Sequence, residues 1–525
     1  MRRGQYARAL PCLQKAVDRE EPDAEELLAS LGLVYSKLGD GKNALACYEK
    51  CLAMDSANPV TLNAAGALYF NAGNYSRAGE LLKKALALKP KSPEPFYNMG
   101  LVCLARGEMD EALGFFEKTL AMAPLHEKAL RGKSIVLAGR KKGNEARACL
   151  KEALLIEDAK ISFAFGKLDR AVEIGRQEVL RHPDNPRIMS SLGRLLCSAG
   201  KLAESIEVQK KAVALDPDNA GAHVRLATTL LAAGDFKNGW AEYEWRIKAG
   251  YLRGFNIPPE KKRWDGTRME EGTLLILCEQ GFGDAIQFFR YLPLVKERSG
   301  ANVKVVCWPA LARLLEQTWK GQLTVCERLP SDSEFDCYFP LMSLPRFFAT
   351  IPPSPYLKAD DQDIRRWSSR VSALKGRKIG LSWAGNPLHK QDVQRSVAFK
   401  LLKPLLKVEN TSFVSLQKAN APAPAELAGI GNFHDWTADL DDFADTAALI
   451  SCLDLVITVD TAVAHLSGAL GQKTWTLIPF IPEWRWMRDT ESSPWYPSMR
   501  LVRRASRRGG PAAGSAAALT AAGLW

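Results

Sequence analysis

A period of 34 residues constrains the first half of this 525-residue chain more than any other feature. Gly32, Gly66 and Gly100 stand 34 apart, as do Gly39, Gly73 and Gly107. Ala44, Ala78, Ala112 and Ala146 keep the same step, and each is followed four residues later by a large side chain, Tyr48, Leu82, Phe116 and Leu150. Pro59 and Pro93 mark the same phase. Small residues recur where two helices must approach, and the large ones fill the space between them.

The pattern resembles the tetratricopeptide repeat family, whose unit is a pair of antiparallel helices, over about residues 1–250. Gly193, Gly200 and Val213 are followed 34 residues on by Ala227, Gly234 and Ile247, so the register persists. Ser134 to Ala159 spans only 25 residues, which leaves one of about seven repeats shortened near 157–186. The chain begins in the phase of a second helix, since Gly4, Ala9 and Leu13 match Gly39, Ala44 and Tyr48. The expectation is an all-α superhelix whose concave groove takes a protein or an extended peptide. A spacer or an oligomerisation element is the alternative.

Composition sets outer limits. With 46% apolar and 25% charged residues the chain reads as ordinary globular protein, long enough for two to four domains. No apolar run approaches the roughly 20 residues a membrane span needs, and the basic start leads into amphipathic helix rather than a signal core, so the expected location is cytoplasmic. A net charge of +12 suits anionic ligands. There is no helix-turn-helix, zinc-finger or RNA-recognition signature, so nucleic acid is not an expected partner. The eleven cysteines are scattered, most at apolar positions, and the six histidines lack ligand spacing, so neither a metal nor a cofactor is expected.

After Trp264 the periodicity changes to short apolar runs alternating with helical stretches, the pattern of parallel sheets with crossover helices. Residues 251–272 read as a linker. Strands are predicted at Thr273–Cys278, Val303–Cys307, Leu323–Cys326 and Cys337–Phe339, with a helix running from about 284 through Arg298 and another at Leu311–Trp319. A second set has strands at Lys378–Trp383, Ser412–Leu416, Leu453–Thr458 and Thr474–Ile478, and helices near 361–374, 398–407, 443–452 and 461–470. The two sets predict two Rossmann-like lobes, 273–360 and 361–502, joined near the proline-rich residues 351–355. Residues 503–525 read as a low-complexity tail.

Three segments carry a more specific pattern: Gly281-x-Gly283-Asp284 with Gln287 and Arg290-Tyr-Leu-Pro293; Gly380-Leu-Ser-Trp-Ala-Gly-Asn-Pro387 with Lys390, Arg395 and Ser396; and Asp460-Thr-Ala-x-x-His465-x-x-Gly-Ala. They are followed by Pro482-x-Trp484-Arg-Trp486 and Ser493-Pro-Trp-Tyr-Pro497. Together they resemble the bacterial heptosyltransferase-like glycosyltransferases fused to tetratricopeptide repeats, and the layout is similar to that of the O-GlcNAc transferases. The resemblance implies a glycosyltransferase B-type α/β fold. The expected function is metal-independent, inverting transfer of a sugar from a nucleotide-diphosphate donor to an acceptor recruited by the repeats, a protein being one candidate.

Such a reaction needs a base for the acceptor hydroxyl, cations for the departing diphosphate and a pocket for the sugar donor. The resemblance assigns the base to Asp284, which also reads as a helix N-cap. Lys390 and Arg395, with Ser396, lie in a polar loop suited to phosphate oxygens; a solvated basic loop is the alternative. The apolar run ending at Val459 feeds a helix at Asp460 and Thr461, so the N–H groups of Thr461 and Ala462 face out of a sheet edge where phosphates bind. Asp460 suits a sugar hydroxyl, and Gln417 sits at the same edge. His465 reads either as a donor contact or as filling between helix and sheet. The aromatic cluster of Trp484, Trp486 and Trp495 reads as stacking or packing. Gly281-x-Gly283 lacks the third glycine of the dinucleotide fingerprint, since Ile286 stands there. Asp361-x-Asp363 and Asp439-x-Asp441 precede helices, where acidic residues favour the dipole, rather than forming a metal pair. The shortened repeat and the unusual tail support the rival reading, an interaction scaffold with a degenerate transferase domain.

Overall fold

The glycines of the 34-residue register sit where a large side chain meets backbone. A Cβ on Gly32 would lie 2.9 Å from the Tyr48 ring, one on Gly66 2.9 Å from Leu82, and one on Gly100 2.8 Å from Phe116. This computed structural model describes the chain except for residues 1–9, 12, 15, 16, 18–23, 55–57, 89, 141, 151, 152, 154–167, 253, 254, 256, 349, 387–391, 419–429, 489 and 505–525. It divides into two compact units, Met1–Leu195 and Leu196–Trp525.

The first unit contains α1 (Ala24–Leu38), α2 (Gly41–Ala53), α3 (Pro59–Asn71), α4 (Tyr75–Ala87), α5 (Glu94–Ala105), α6 (Met109–Met122), α7 (Glu127–Gly139) and α8 (Leu168–Arg181), and most of α9 (Pro186–Ser198). Consecutive helices pack as pairs. The turns inside the first three pairs use a glycine in the left-handed region, with φ of 89° at Gly39 and 79° at Gly73 and Gly107. The helix that follows is capped where the sequence allows: Asp40 accepts from the Asn43 N–H at 3.1 Å, and Asn74 from that of Arg77 at 3.1 Å. The shortened repeat lies largely outside the described residues.

The second unit begins with α10 (Leu202–Leu215), α11 (Ala220–Ala232) and α12 (Phe236–Tyr243). Two parallel sheets follow. The first is built from β1 (Lys262–Arg263), β2 (Thr273–Leu277), α13 (Phe282–Phe288), α14 (Leu292–Ser299), β3 (Asn302–Val306), α15 (Pro309–Thr318), β4 (Thr324–Cys326) and β5 (Cys337–Pro340). Its strand order is β1-β5-β2-β3-β4, in register Leu277↔Val306 and Leu277↔Pro340 about β2. The second contains α16 (Asp361–Ser372), β6 (Arg377–Ser382), α17 (Asp392–Arg395), β7 (Thr411–Ser415), β8 (Phe433–His434), α18 (Phe443–Ser451), β9 (Leu455–Val459), α19 (Ala462–Ala469), β10 (Thr474–Ile478) and β11 (Met499–Arg503). Its order is β11-β10-β9-β6-β7-β8, with Ser382↔Thr458 joining β6 to β9.

From β2 in the first sheet and β6 in the second, the chain moves outward on one side and then returns to the other side of that strand. The crossing points fall between β2 and β5 and between β6 and β9. The carboxyl ends of strands at such a switch point open a crevice, because the following loops diverge to opposite sides. Asp284 follows β2, Arg395 follows β6 and Asp460 follows β9, so all three stand at switch points.

Four expectations change. The predicted linker contributes β1, which pairs with β5, and the Trp264 N–H donates to the Tyr338 carbonyl at 2.9 Å. Two paired residues are too short a run to show a period. The repeat domain does not close at residue 250, because Leu231, Trp240 and Tyr243 share one core with Leu274, Ile276 and Phe288. The single helix expected through Arg298 breaks at a 3-10 turn, Phe289–Tyr291, beside Pro293, which has no N–H to continue the ladder. The helix expected at 398–407 is two 3-10 turns, Phe399–Leu401 and Lys403–Lys407, for the same reason at Pro404. The predicted low-complexity tail lies outside the described residues from 505 onward.

Candidate active site

The turn leading into α13 places Asp284. Gly281 is the N-cap, with φ −67° and ψ 170°, and its N–H donates to Asp284 Oδ2 at 3.2 Å. The carboxylate therefore folds back over its own helix start, as the capping reading expects. Its other oxygen, Oδ1, accepts from Nη2 of Arg485. Both roles meet in one side chain, which remains 25% exposed.

Arg485 comes from the 3-10 turn Trp484–Trp486, in the loop that leaves the carboxyl end of β10. Its side chain is 8% exposed. Nη1 donates to Glu483 and Nε to Gln287 Oε1 at 2.7 Å. Burial works against its charge, and the carboxylates of Glu483 and Asp284 overcome that and hold the guanidinium protonated. Losing the guanidinium from such a group costs about 3–5 kcal/mol, because the carboxylates packed on it are left uncompensated.

Asp460 follows β9 and keeps part of its surface accessible. Enough protein encloses it that burial pushes its carboxyl pKa up, against the pull of Arg395. Arg485 and Asp284 act on it as well, so residues from the crossing points of both sheets share one electrostatic neighbourhood. The Trp486 indole N–H is directed at Asp460 and steadies its charge, yet makes no hydrogen bond of ordinary geometry.

The Arg395 segment is folded back onto the end of β6. Ser396 Oγ donates to Asp392 Oδ1 at 2.7 Å and accepts from the Gly385 N–H at 2.9 Å, while the Val397 N–H donates to the Trp383 carbonyl at 2.8 Å. Arg395 lies over Gly385, where a Cβ would fall 2.7 Å from its Nε. Ser396 thus fixes the loop that presents Arg395. Lys390 lies outside the described residues.

Thr461 is the N-cap of α19 with φ −145° and ψ 175°, but its hydroxyl pairs with that of Thr458 at 3.3 Å rather than capping the helix. The N–H of Ala462 belongs to the first turn of α19, where no intrahelical acceptor exists. This is the open helix start that the sequence predicts.

Two predicted donor contacts serve the fold. Gln417 Oε1 accepts from the N–H groups of Trp383 at 3.0 Å and Ala384 at 2.8 Å, satisfying the loop after β6. His465 is 5% exposed, pairs through Nδ1 with Tyr496 Oη at 3.0 Å, and stacks on Trp486 with centroids 5.2 Å apart. Burial, reinforced by Arg485, Arg290 and Arg395, drives its pKa well below the usual range, so the ring is neutral. Gly283 exists for this ring: a Cβ there would stand 2.8 Å from His465 Cδ2. The second glycine of Gly281-x-Gly283 is therefore a packing residue between α13 and α19. Trp484, Trp486 and Trp495 are 5%, 0% and 1% exposed, which settles them as packing.

Asp363 and Asp442 bind Arg313, both at 2.7 Å, and Asp439 binds Arg370 at 2.8 Å. Among the described residues no cluster of three or more side chains could hold a metal ion. The same residues include no helix long and apolar enough to cross a membrane.

Sequence reasoning missed Arg485 and Glu483. The motif containing them was visible, but its two tryptophans drew the reading toward aromatics. An arginine wedged between buried tryptophans is the signal that was there to use, since a buried cation requires a buried anion.

A family model described as tetratricopeptide repeat matches residues 1–59 and 157–220, and one described as anaphase-promoting complex, cyclosome, subunit 3 matches residues 37–119. The N-terminal part carries tetratricopeptide repeats. Among curated proteins the chain is 29% identical over 307 residues to Protein FlbA of Caulobacter vibrioides, a match covering 52% of this chain and 50% of FlbA. The chain thus spans about half the length of that relative. Among solved structures it is similar to MamA, at 26% identity, over 30% of this chain and 92% of that one, with a TM-score of 0.28. It is also similar to a thermophilic tetratricopeptide protein of Thermus thermophilus, at 23% identity, over 40% of this chain and all of that one, with a TM-score of 0.24. At scores this low the architecture of the tetratricopeptide array rests on its own glycine register and caps.

Proposed function

We propose that the two parallel sheets form a glycosyltransferase B-type enzyme that moves a sugar from a nucleotide-diphosphate donor to an acceptor, with protein partners recruited by the tetratricopeptide repeats. One observation carries the reading: Arg485, from the loop after β10 of the second sheet, donates to Asp284 and to Gln287 of the first, so a carboxylate at one switch point meets a cation from the other sheet. In this reading Asp284 removes the acceptor proton, Arg395 and Arg485 offset charge developing on the departing diphosphate, Thr461 and Ala462 offer backbone N–H groups, and Asp460 bonds a sugar hydroxyl. In this reading the guanidinium groups take the part that a metal ion would otherwise play at the diphosphate.

The test is incubation of the purified chain with a panel of nucleotide sugars, reading released nucleotide. Turnover is expected, and Asp284→Asn should lower it at least about 100-fold without weakening nucleotide binding. No nucleotide binding by calorimetry would instead favour the second reading, a scaffold whose transferase-like sheets no longer act. The commitment of Gln417 and His465 to structural hydrogen bonds supports that alternative.

A further inference from the structure

Arg485 is held by groups that a ligand would have to replace. Three of its five N–H groups are taken by Asp284, Glu483 and Gln287. The two carboxylates lie on the open side of the cluster, 25% and 33% exposed, while the guanidinium beneath them is 8% exposed. Two negative charges cover one positive charge, and a third carboxylate, Asp460, is drawn to Arg395 as well as to Arg485. Such a cover is more negative than the cation beneath it needs. A second feature points to a missing acceptor: the Gln287 amide is 0% exposed, its Oε1 accepts from Arg485, and its Nε2 has no hydrogen-bond partner.

We propose that Arg485 is an anion-exchange switch: a phosphate-bearing ligand takes its guanidinium from Asp284 and Glu483, and in doing so releases the Asp284 carboxylate. A phosphate offers the fork of a guanidinium two oxygens at once, as Asp284 and Glu483 now do from separate side chains. Exchange keeps the buried cation compensated in both states, and the displaced carboxylates, 25% and 33% exposed, are left to solvent. Arg485 acts as a positioning residue for Asp284 in the ligand-free chain and as the anion receptor in the bound one. The inference rests on the same site as the transferase reading but not on sugar transfer. Where that reading holds, it makes the base available only after the diphosphate has arrived.

The decisive experiment titrates inorganic pyrophosphate, in buffer with a metal chelator, into the full chain and into the Asp284→Asn, Glu483→Gln and Arg485→Gln variants by calorimetry. Removing a competitor for Arg485 should tighten binding, so Asp284→Asn and Glu483→Gln are each expected to bind about tenfold more tightly than the parent. Arg485→Gln is expected to lose binding at least about 100-fold; should it fail to fold, the other two variants still decide. Binding by Asp284→Asn alone, with none by the parent, also supports the switch, since it means that the carboxylates keep it shut. Equal affinity in the parent and both carboxylate variants, weaker binding in them, or no binding by any protein overturns it. Tightening by Asp284→Asn in a chain that releases no nucleotide from any nucleotide sugar would retire the transferase and leave the exchange standing.

Discussion

Gly283 and His465 show how one missing side chain shapes the crevice. The imidazole cannot retreat from a Cβ on Gly283, because Trp486 stacks on one side of it and Tyr496 holds Nδ1. Gly283→Ala should therefore lose about 1–3 kcal/mol to overpacking, although alanine favours helix more than glycine. Gly114, inside α6 with nothing within 4 Å of its would-be Cβ, is the contrasting case, and Gly114→Ala should gain about 0.5–1 kcal/mol. Denaturant midpoints of the two variants check the opposite signs. His465 also sets a pH dependence. Its folded pKa lies well below the unfolded value, so the unfolded chain binds the proton first as pH falls. Its stabilising contribution is intact above about pH 6.5 and is lost progressively below it. His465→Gln should flatten that acid limb in thermal melts recorded from pH 7.5 to 5. Asp284 was readable from the sequence because its cap, its strand and its helix are neighbours along the chain. The pairing of Asp284 with Arg485 was not, since the two lie 201 residues apart.

Between elements, ionic contacts tie α15 of the first sheet to α16 and α18 of the second. Arg313 forks onto Asp442 with both bonds at 2.7 Å, reaches Asp363 at 2.7 Å and lies 3.0 Å from Asp445. The guanidinium is 37% exposed, so solvent screening discounts the pairing. Arg313→Met should cost about 1–2 kcal/mol, most of it from carboxylates left facing one another. High salt should shrink that loss, and unfolding midpoints at low and high ionic strength measure it. Asp363 is read from sequence as a dipole partner of a helix start, whereas Asp442 and Asp445 are not singled out there. Asp442 does cap α18, with Oδ1 accepting from the Ala444 N–H at 2.8 Å, but its bond to Arg313 depends on α15 lying alongside. Apolar runs marked β2 to β7, β9 and β10, whereas β1 and β8, two residues each, carry no period to detect, and the arginines of β11 hid a five-residue strand.

The second unit folds as one body that begins before its first strand. Trp240 of α12 is 5% exposed and meets Phe288 and Trp484 at ring-centroid distances of 5.5 and 5.4 Å. Trp240→Ala should cost about 3–5 kcal/mol and lower stability across both sheets in a single transition. A fragment starting at residue 196 should remain soluble and cooperative, while one starting at 251 should expose this core and bind a hydrophobic dye. Limited proteolysis and melting of the two fragments give the comparison.

The 34-residue period, the alternation of strands and helices and the strand-to-helix turns at Asp284 and Asp460 were all local, written in spacing along the chain, and periodicity alone was enough to read them. Which carboxylate met which cation, why Gly283 must be glycine and where the last repeat stops being separate were settled by packing. Each depends on residues distant in the chain occupying the same volume, and burial then makes their charges and sizes matter.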